Sequence, residues 1–364
     1  MRDLKGWLRD VVFPLWAEKG VDRVGGGFYE ALDANAEPLP IDRRFRVASR
    51  QTYAFITAGR LGWDGPWRDI AASGFRALLS RYRRPDGLFR RLVHHDGTIS
   101  DDTALFYDQA TVLFLLANAR ADFEGEFGVT RIAREIIAEL ERSRRTGAGG
   151  FIETDAHPWQ SNAHMHFLEA MIAWRAIDND PQWARLADEI GSLALDRFIN
   201  SRTGLLHEFF SEGWAPAPGI EGRHVEPGHQ FEWALLLNAW GDSGAQVAVH
   251  KLYANGVKQI DTARNLAPFA LLDDGTVHEP VARFWAQAEW LRTALALGDA
   301  AGEKQAMEAV ERYLDKPKPG LWLDRIDASN RLIEEPVTAS TLYHIIGAAL
   351  AQKPQQVSEK PNRR

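Results

Sequence analysis

Residues 228–240 read GHQFEWALLLNAW: a polar opening carrying His229 and Glu232, then apolar residues on every side of a helix. A helix that is apolar all round belongs inside a protein, packed by other elements on all faces. Five further segments share this character: RQTYAFITAG from Arg50, YDQATVLFLLANA from Tyr107, NAHMHFLEAMIAW from Asn162, FWAQAEWLRTALAL from Phe284 and STLYHIIGAAL from Ser340. In chain order the six starts lie 57, 55, 66, 56 and 56 residues apart. A recurrence at that interval marks one supersecondary unit used repeatedly.

Between these segments lie amphipathic ones, charged on one face only: 67–84, 130–145, 181–199, 244–260 and 303–316, with LKGWLRDVVFPLWAEKG at the N-terminus as the sixth. These predict outer helices with a wet side and a core side. A third feature recurs on the connections, a glycine followed by apolar residues and usually a charged one: GGFYE, GLFR, GGFIE, GLLHE, GTVHE at Gly275 and GLWLD. Glycine permits a tight turn there, and the short apolar run can pair as a strand.

Six buried and six half-buried helices in alternation predict an all-α (α/α)6 barrel with short β segments in the connections. The buried set escapes water by forming an inner ring, whereas an open solenoid needs polar caps on its end repeats. No Pro/Gly/Ser-rich linker divides the chain, so residues 1–352 are expected to form a single catalytic domain. The polar stretch 353–364, KPQQVSEKPNRR, is expected to be a disordered tail.

Composition narrows the function. Cysteine is absent, which removes disulfides, thiolate metal sites and a cysteine nucleophile. The net charge of −7 and the lack of a basic run argue against a nucleic-acid partner. No apolar run reaches the roughly 18–20 residues of a membrane span. The N-terminus lacks a signal-type apolar core, so a cytoplasmic location is expected. The 13 Trp, 18 Phe and 7 Tyr either build a large aromatic core or include rings that stack on sugars.

In a toroid the polar openings of the inner helices converge on one cavity. They carry Arg50, Asp108, Gln109, His164, His166, His229, Glu232, Gln287, Glu289 and His344. His229 and Glu232, three apart, share a helix face. His164 and His166, two apart, point to opposite sides of a helix, so only one faces the cavity. His166 is favoured because HFLE repeats the HxxE spacing. That geometry also speaks against a two-histidine metal site, and no HExxH motif is present. His344 by itself is an ordinary buried histidine, and Arg50 is a cation that needs an anionic or strongly polar partner. Imidazoles, a carboxylate and a fixed cation suit proton transfer beside a sugar carbonyl, with the cation holding an enediolate. A glycoside hydrolase is the remote alternative; it requires two facing carboxylates, for which Asp108 and Glu232 are the candidates.

RVASRQTYAF, SNAHMHFLEA, EPGHQFEW and the YHI of 343–345, in that order, resemble the motifs of the N-acylglucosamine 2-epimerase superfamily. The resemblance implies the (α/α)6 barrel and interconversion of sugars through a cis-enediolate without a cofactor. It implies that His229 and His344 are acid/base groups on opposite sides of the sugar. His166 would act with Glu232 in ring opening, and Arg50 would hold the enediolate oxygens. Asn162, Tyr107, Asp108, Gln109, Trp159, Trp233, Trp285, Gln287 and Glu289 are expected to contact the substrate. RVASRQTYAF and YDQATVLF resemble the mannose-isomerase branch, with Gln109 departing from the usual His. The expected activity is aldose–ketose isomerisation of D-mannose and D-fructose, by a monomer or homodimer. The alternative is a 2-epimerase for N-acyl-glucosamine or cellobiose.

Overall fold

The structure, a computed structural model, describes residues 2–353, so the tail expected beyond Lys353 lies outside the described residues. Twelve helical segments alternate along them. The outer ones are α1 (4–19), α3 (67–82), α5 (Val129–Ser143), α7 (181–198), α9 (Gln246–Lys258) and α11 (Ala300–Glu311). The inner ones are α2 (Phe45–Arg60), α4 (Phe106–Phe127), α6 (Ser161–Arg175), α8 (Pro227–Trp240), α10 (Phe284–Leu297) and α12 (339–351), whose first turn is a tighter 3-10 turn. Local chemistry sets their ends. Asp180 accepts from Gln182 N–H ahead of Pro181 to start α7, while Gly128, Gly241 and Gly298 take left-handed φ to stop α4, α8 and α10.

Each inner helix packs against two other inner helices, in the order α2, α4, α6, α8, α10, α12 and back to α2. The ring closes through strand Ala31–Leu32, antiparallel to Val337–Thr338, and through Gln51, whose Nε2 donates to Ala339 O at 2.7 Å. This is the (α/α)6 barrel. The inner helices are buried nearly throughout and the outer helices bury one stripe, as the two hydropathy patterns require.

Each connection from an outer to an inner helix opens on a β-bridge: Val21–Phe28, Arg83–Phe89, Arg145–Phe151, Ile199–Leu206, Asp261–Leu266 and Leu314–Trp322. The fifth corrects the sequence reading. GTVHE at Gly275 belongs to an exposed hairpin ending at strand Val277–Glu279, and the true fifth turn is 261–266. There Asn265 takes the left-handed conformation, φ 54°, in place of a glycine. Asn is among the few side chains that tolerate this region, so the glycine signal vanished without a change of fold.

The fourth residue of four inner helices clamps the bridge behind it. Gln109 accepts from Phe89 N–H at 2.8 Å and donates to Phe89 O at 2.9 Å. Gln230 does the same with Leu206, and Gln287 with Ala267. In α6 this residue is His164, whose Nε2 accepts from Phe151 N–H at 3.0 Å while Nδ1 faces Gln160 O at 2.9 Å.

Candidate active site

Counting from Phe45, Phe106, Ser161, Pro227, Phe284 and Ala339, the second, sixth and ninth residues of an inner helix share one face. On that face the six helices surround a cavity of about 720 Å³, within the range of roughly 300–1,000 Å³ typical of small-molecule sites. The second residues Arg46, Tyr107, Asn162, Trp285 and Ser340 line its mouth. The sixth residues form a deeper ring: Arg50, Thr111, His166, Glu232, Glu289 and His344. Arg50, His166, Glu232 and His344 reach the cavity directly. Arg50 therefore does not head its helix, as its segment suggested; α2 begins five residues earlier, at Phe45, and puts Arg50 level with the histidines.

His229 enters from the third position of α8, beside the Trp285 ring at 5.0 Å between centroids. Gly228 makes room, since a Cβ there would lie 2.5 Å from the Trp285 ring. The same indole lies 5.8 Å from the His344 ring, so Trp285 touches both imidazoles. His229 Nδ1 is 3.1 Å from Glu208 and 3.6 Å from Glu226. Burial works against a charged ring, but these two carboxylates outweigh it and raise His229 to about 10. The HxxE expectation is corrected here, because Glu232 approaches His166 of α6 at 3.8 Å.

His344 is the opposite case. Its Nδ1 lies 2.7 Å from Glu289 Oε1, and Arg292 stands 3.4 Å from the other oxygen. Burial holds His344 below the usual imidazole range despite Glu289. Glu289 is held below the usual carboxylate range by Arg292 and His344 against its burial. An ionised carboxylate only accepts, so His344 Nδ1–H donates and Nε2 keeps a free lone pair. His166, lowered to about 4 by burial, is likewise neutral. Burial and the nearby Glu289 and Glu169 raise Glu232 well above its ordinary value, which favours its protonated form. Arg50 donates to Tyr107 Oη at 3.0 Å and lies 4.4 Å from the Tyr343 ring centre; its buried Nε has no partner among the described residues.

Of the expected site residues, Arg50, Tyr107, Asn162, His166, His229, Glu232, Trp285 and His344 line the cavity. Glu289 reaches it through His344. Gln109 and Gln287 do not contact it, because both amides are consumed by backbone clamps. Trp233 is fully buried against Phe198 in the barrel wall, and Trp159, on the connection before α6, packs edge-on to Trp214, so neither lines the cavity. Asp108 is buried outside the cavity lining and pushed up to about 7 by burial, so it cannot face Glu232 as a hydrolase pair. Sequence reasoning missed Glu208, Glu226, Arg46 and Arg292. Glu208 ends the GLLHE connection and Glu226 precedes Pro227, so both were visible as charges at repeat junctions but not as partners of His229.

Two trios place three donor atoms within 4.8 Å of one another, Glu208–Glu226–His229 and Glu232–Glu289–His344. In each, an imidazole Nδ1 stands close to a carboxylate oxygen, 3.1 Å for His229 with Glu208 and 2.7 Å for His344 with Glu289. Among the described residues no helix is long and apolar enough to cross a membrane.

The family described as N-acylglucosamine 2-epimerase (GlcNAc 2-epimerase) matches residues 27–348. A protein of Rhizobium meliloti (strain 1021) named mannose-6-phosphate isomerase is 41% identical, with 95% of each chain covered. Among solved structures, the cellobiose 2-epimerase of Spirochaeta thermophila superposes with TM-score 0.85 at 20% identity, covering 96% of this chain and 94% of that one. A D-mannose isomerase superposes with TM-score 0.81 at 20% identity, covering 93% and 94%. With its fold, its cavity and this match in agreement, the chain belongs to the N-acylglucosamine 2-epimerase family and is a sugar isomerase or epimerase.

Proposed function

We propose that the protein is an aldose–ketose isomerase of the mannose series, interconverting D-mannose and D-fructose through a cis-enediolate. The observation that carries this reading is two imidazoles facing one cavity in opposite settings, His229 with Nδ1 between Glu208 and Glu226 and His344 with Nδ1 on Glu289. Groups whose surroundings push their pKa values apart are the natural acid and base of a reaction.

Ring opening comes first: protonated Glu232 donates to the ring oxygen while neutral His166 takes the anomeric hydroxyl proton. His344 Nε2 then removes the C2 proton, leaving C1 and C2 doubly bonded and a negative charge over O1 and O2, which Arg50 holds. On the way to the ketose, His229 passes its proton to O1 and takes the one on O2. Return of a proton to C1, with loss of the O2 proton, yields the ketose; return to the other face of C2 would yield the epimer. The test is product identification with a panel of aldoses: fructose from mannose supports the reading, and glucose as sole product would replace it with 2-epimerisation.

A second reading adds a 6-phosphate to the aldose. It rests on Arg46, which lines the mouth one turn above Arg50, lies 5.2 Å from the Tyr107 ring centre and forms no ion pair among the described residues. The name of the Rhizobium meliloti relative points the same way. Comparing kcat/KM for mannose and mannose 6-phosphate in the wild type and Arg46→Gln separates the two substrates.

A further inference from the structure

Below the sixth-residue ring lies the ninth: Tyr53, Phe114, Glu169, Leu235, Arg292 and Gly347. Only Glu169 and Arg292 carry charge there, and the proton transfers described above use neither. Arg292 reaches two acids on different helices. Its guanidinium lies 3.4 Å from Glu289 Oε2, three residues before it on α10, and 3.3 Å from Glu169 Oε1 on α6. Each acid continues upward. Glu289 faces His344 Nδ1 at 2.7 Å, while Glu169 accepts from the Tyr343 hydroxyl and stands 3.7 Å from His166 Nδ1. A buried chain therefore runs His344–Glu289–Arg292–Glu169–His166, joining the two neutral imidazoles from beneath.

The helices are shaped around this cation. Gly347 is the ninth residue of α12, and a Cβ at that position would approach the Arg292 side chain at 3.3 Å. The acids are buried, with side chains 0% and 6% exposed. Such carboxylates stay charged only when a cation and hydrogen bonds replace water.

We propose that Arg292 is a positioning residue of this enzyme: from the cavity floor it orients Glu289 and Glu169, and through Glu289 it fixes the His344 ring with Nε2 towards the sugar. The proposal deepens the isomerase reading and rests on it for the identity of the base. A guanidinium suits the role because its planar fork can address two carboxylates at once, which a lysine ammonium does less well.

The titratable or charged groups around His344 are Glu289 and Arg292 on α10, Arg50 on α2, Glu232 on α8, His166 on α6 and Tyr343 on its own helix. Removing the Arg292 cation makes a proton on His344 cheaper, so its titration moves upward. We would measure the His344 imidazole by ¹⁵N NMR, with kcat and KM alongside, in wild type, Arg292→Gln and Arg292→Lys.

The expected result for Arg292→Gln is a His344 pKa higher by about one unit, with kcat down on the order of 100-fold and KM nearly unchanged. Arg292→Lys, which keeps the charge, should leave the titration close to wild type and recover part of kcat; it also serves if the Gln variant does not fold. A His344 titration that stays put when the charge is removed, or a Lys variant as shifted as the Gln variant, would overturn the proposal. The NMR titration needs no substrate. An absence of aldose–ketose turnover in wild type would thus count against the functional reading alone.

Discussion

Glu289 Oε1 lies 2.7 Å from His344 Nδ1, with the carboxylate wholly buried and the ring at the cavity wall. The pair sets the tautomer of the proposed base: with Nδ1–H committed to the acid, Nε2 is the nitrogen left with a lone pair. Replacing Glu289 by Gln keeps the shape but lets the amide N–H₂ face Nδ1, which favours the wrong tautomer. The expected outcome is a fall in kcat of about 10²–10⁴-fold, the usual worth of a positioned general base, with KM changed little. Steady-state kinetics beside a melting curve checks it.

His229 supplies a pH signature. Its folded pKa of about 10 lies above the unperturbed value of about 6.5. The stability it contributes is therefore complete below the unfolded value and is lost as pH rises through the folded one. Activity that needs the charged ring should fall over the same alkaline interval. Glu208→Gln removes the nearer anion, so the alkaline limb of kcat/KM should move towards neutrality; a limb that stays in place would assign it to another group.

Gly228 holds open the space filled by Trp285. Gly228→Ala brings a Cβ to a position 2.5 Å from the indole, which must then shift against His229 and His344. Overpacking of this kind costs about 1–3 kcal/mol. The expected phenotype is a lower Tm together with a loss of kcat/KM of at least roughly tenfold from misplacement of the rings. Thermal unfolding and kinetics on the same preparation check both.

Gln287 separates wall from site. Its amide satisfies both the N–H and the C=O of Ala267 at 2.9 Å. Gln287→Leu leaves those buried groups unpaired, at about 1–3 kcal/mol for each, yet should leave KM and kcat nearly unchanged. A large rise in KM in a well-folded variant would return Gln287 to the substrate contacts.

The repeat was legible because each inner helix must be apolar on every side, a demand that leaves a periodic trace. The turn at Asn265 was not, since an asparagine satisfies by conformation what the other repeats satisfy with glycine. At the site, His166, His229, Glu232 and Arg50 could be named from helix openings, and His344 only through the family resemblance. Gln109 and Gln287 looked identical to them in sequence, because one polar residue at a helix start serves equally for a substrate contact and for a backbone clamp. Helical phase distinguishes them: the clamps sit fourth, whereas the cavity groups sit second and sixth, with His229 at the third position of α8. That count requires the true helix start, which for α2 lay five residues before the apparent one. Partners drawn from distant connections, such as Glu208 for His229, leave no local trace at all.

The most direct test is proton NMR of mannose, or its 6-phosphate, with the enzyme in deuterated water, comparing wild type with His344→Gln. The expected result is the ketose carrying solvent deuterium at C1 with wild type, and neither product nor carbon-bound deuterium with a folded His344→Gln. Equal ketose formation and labelling by the two proteins would contradict the assignment of His344 as the base that moves the carbon-bound proton.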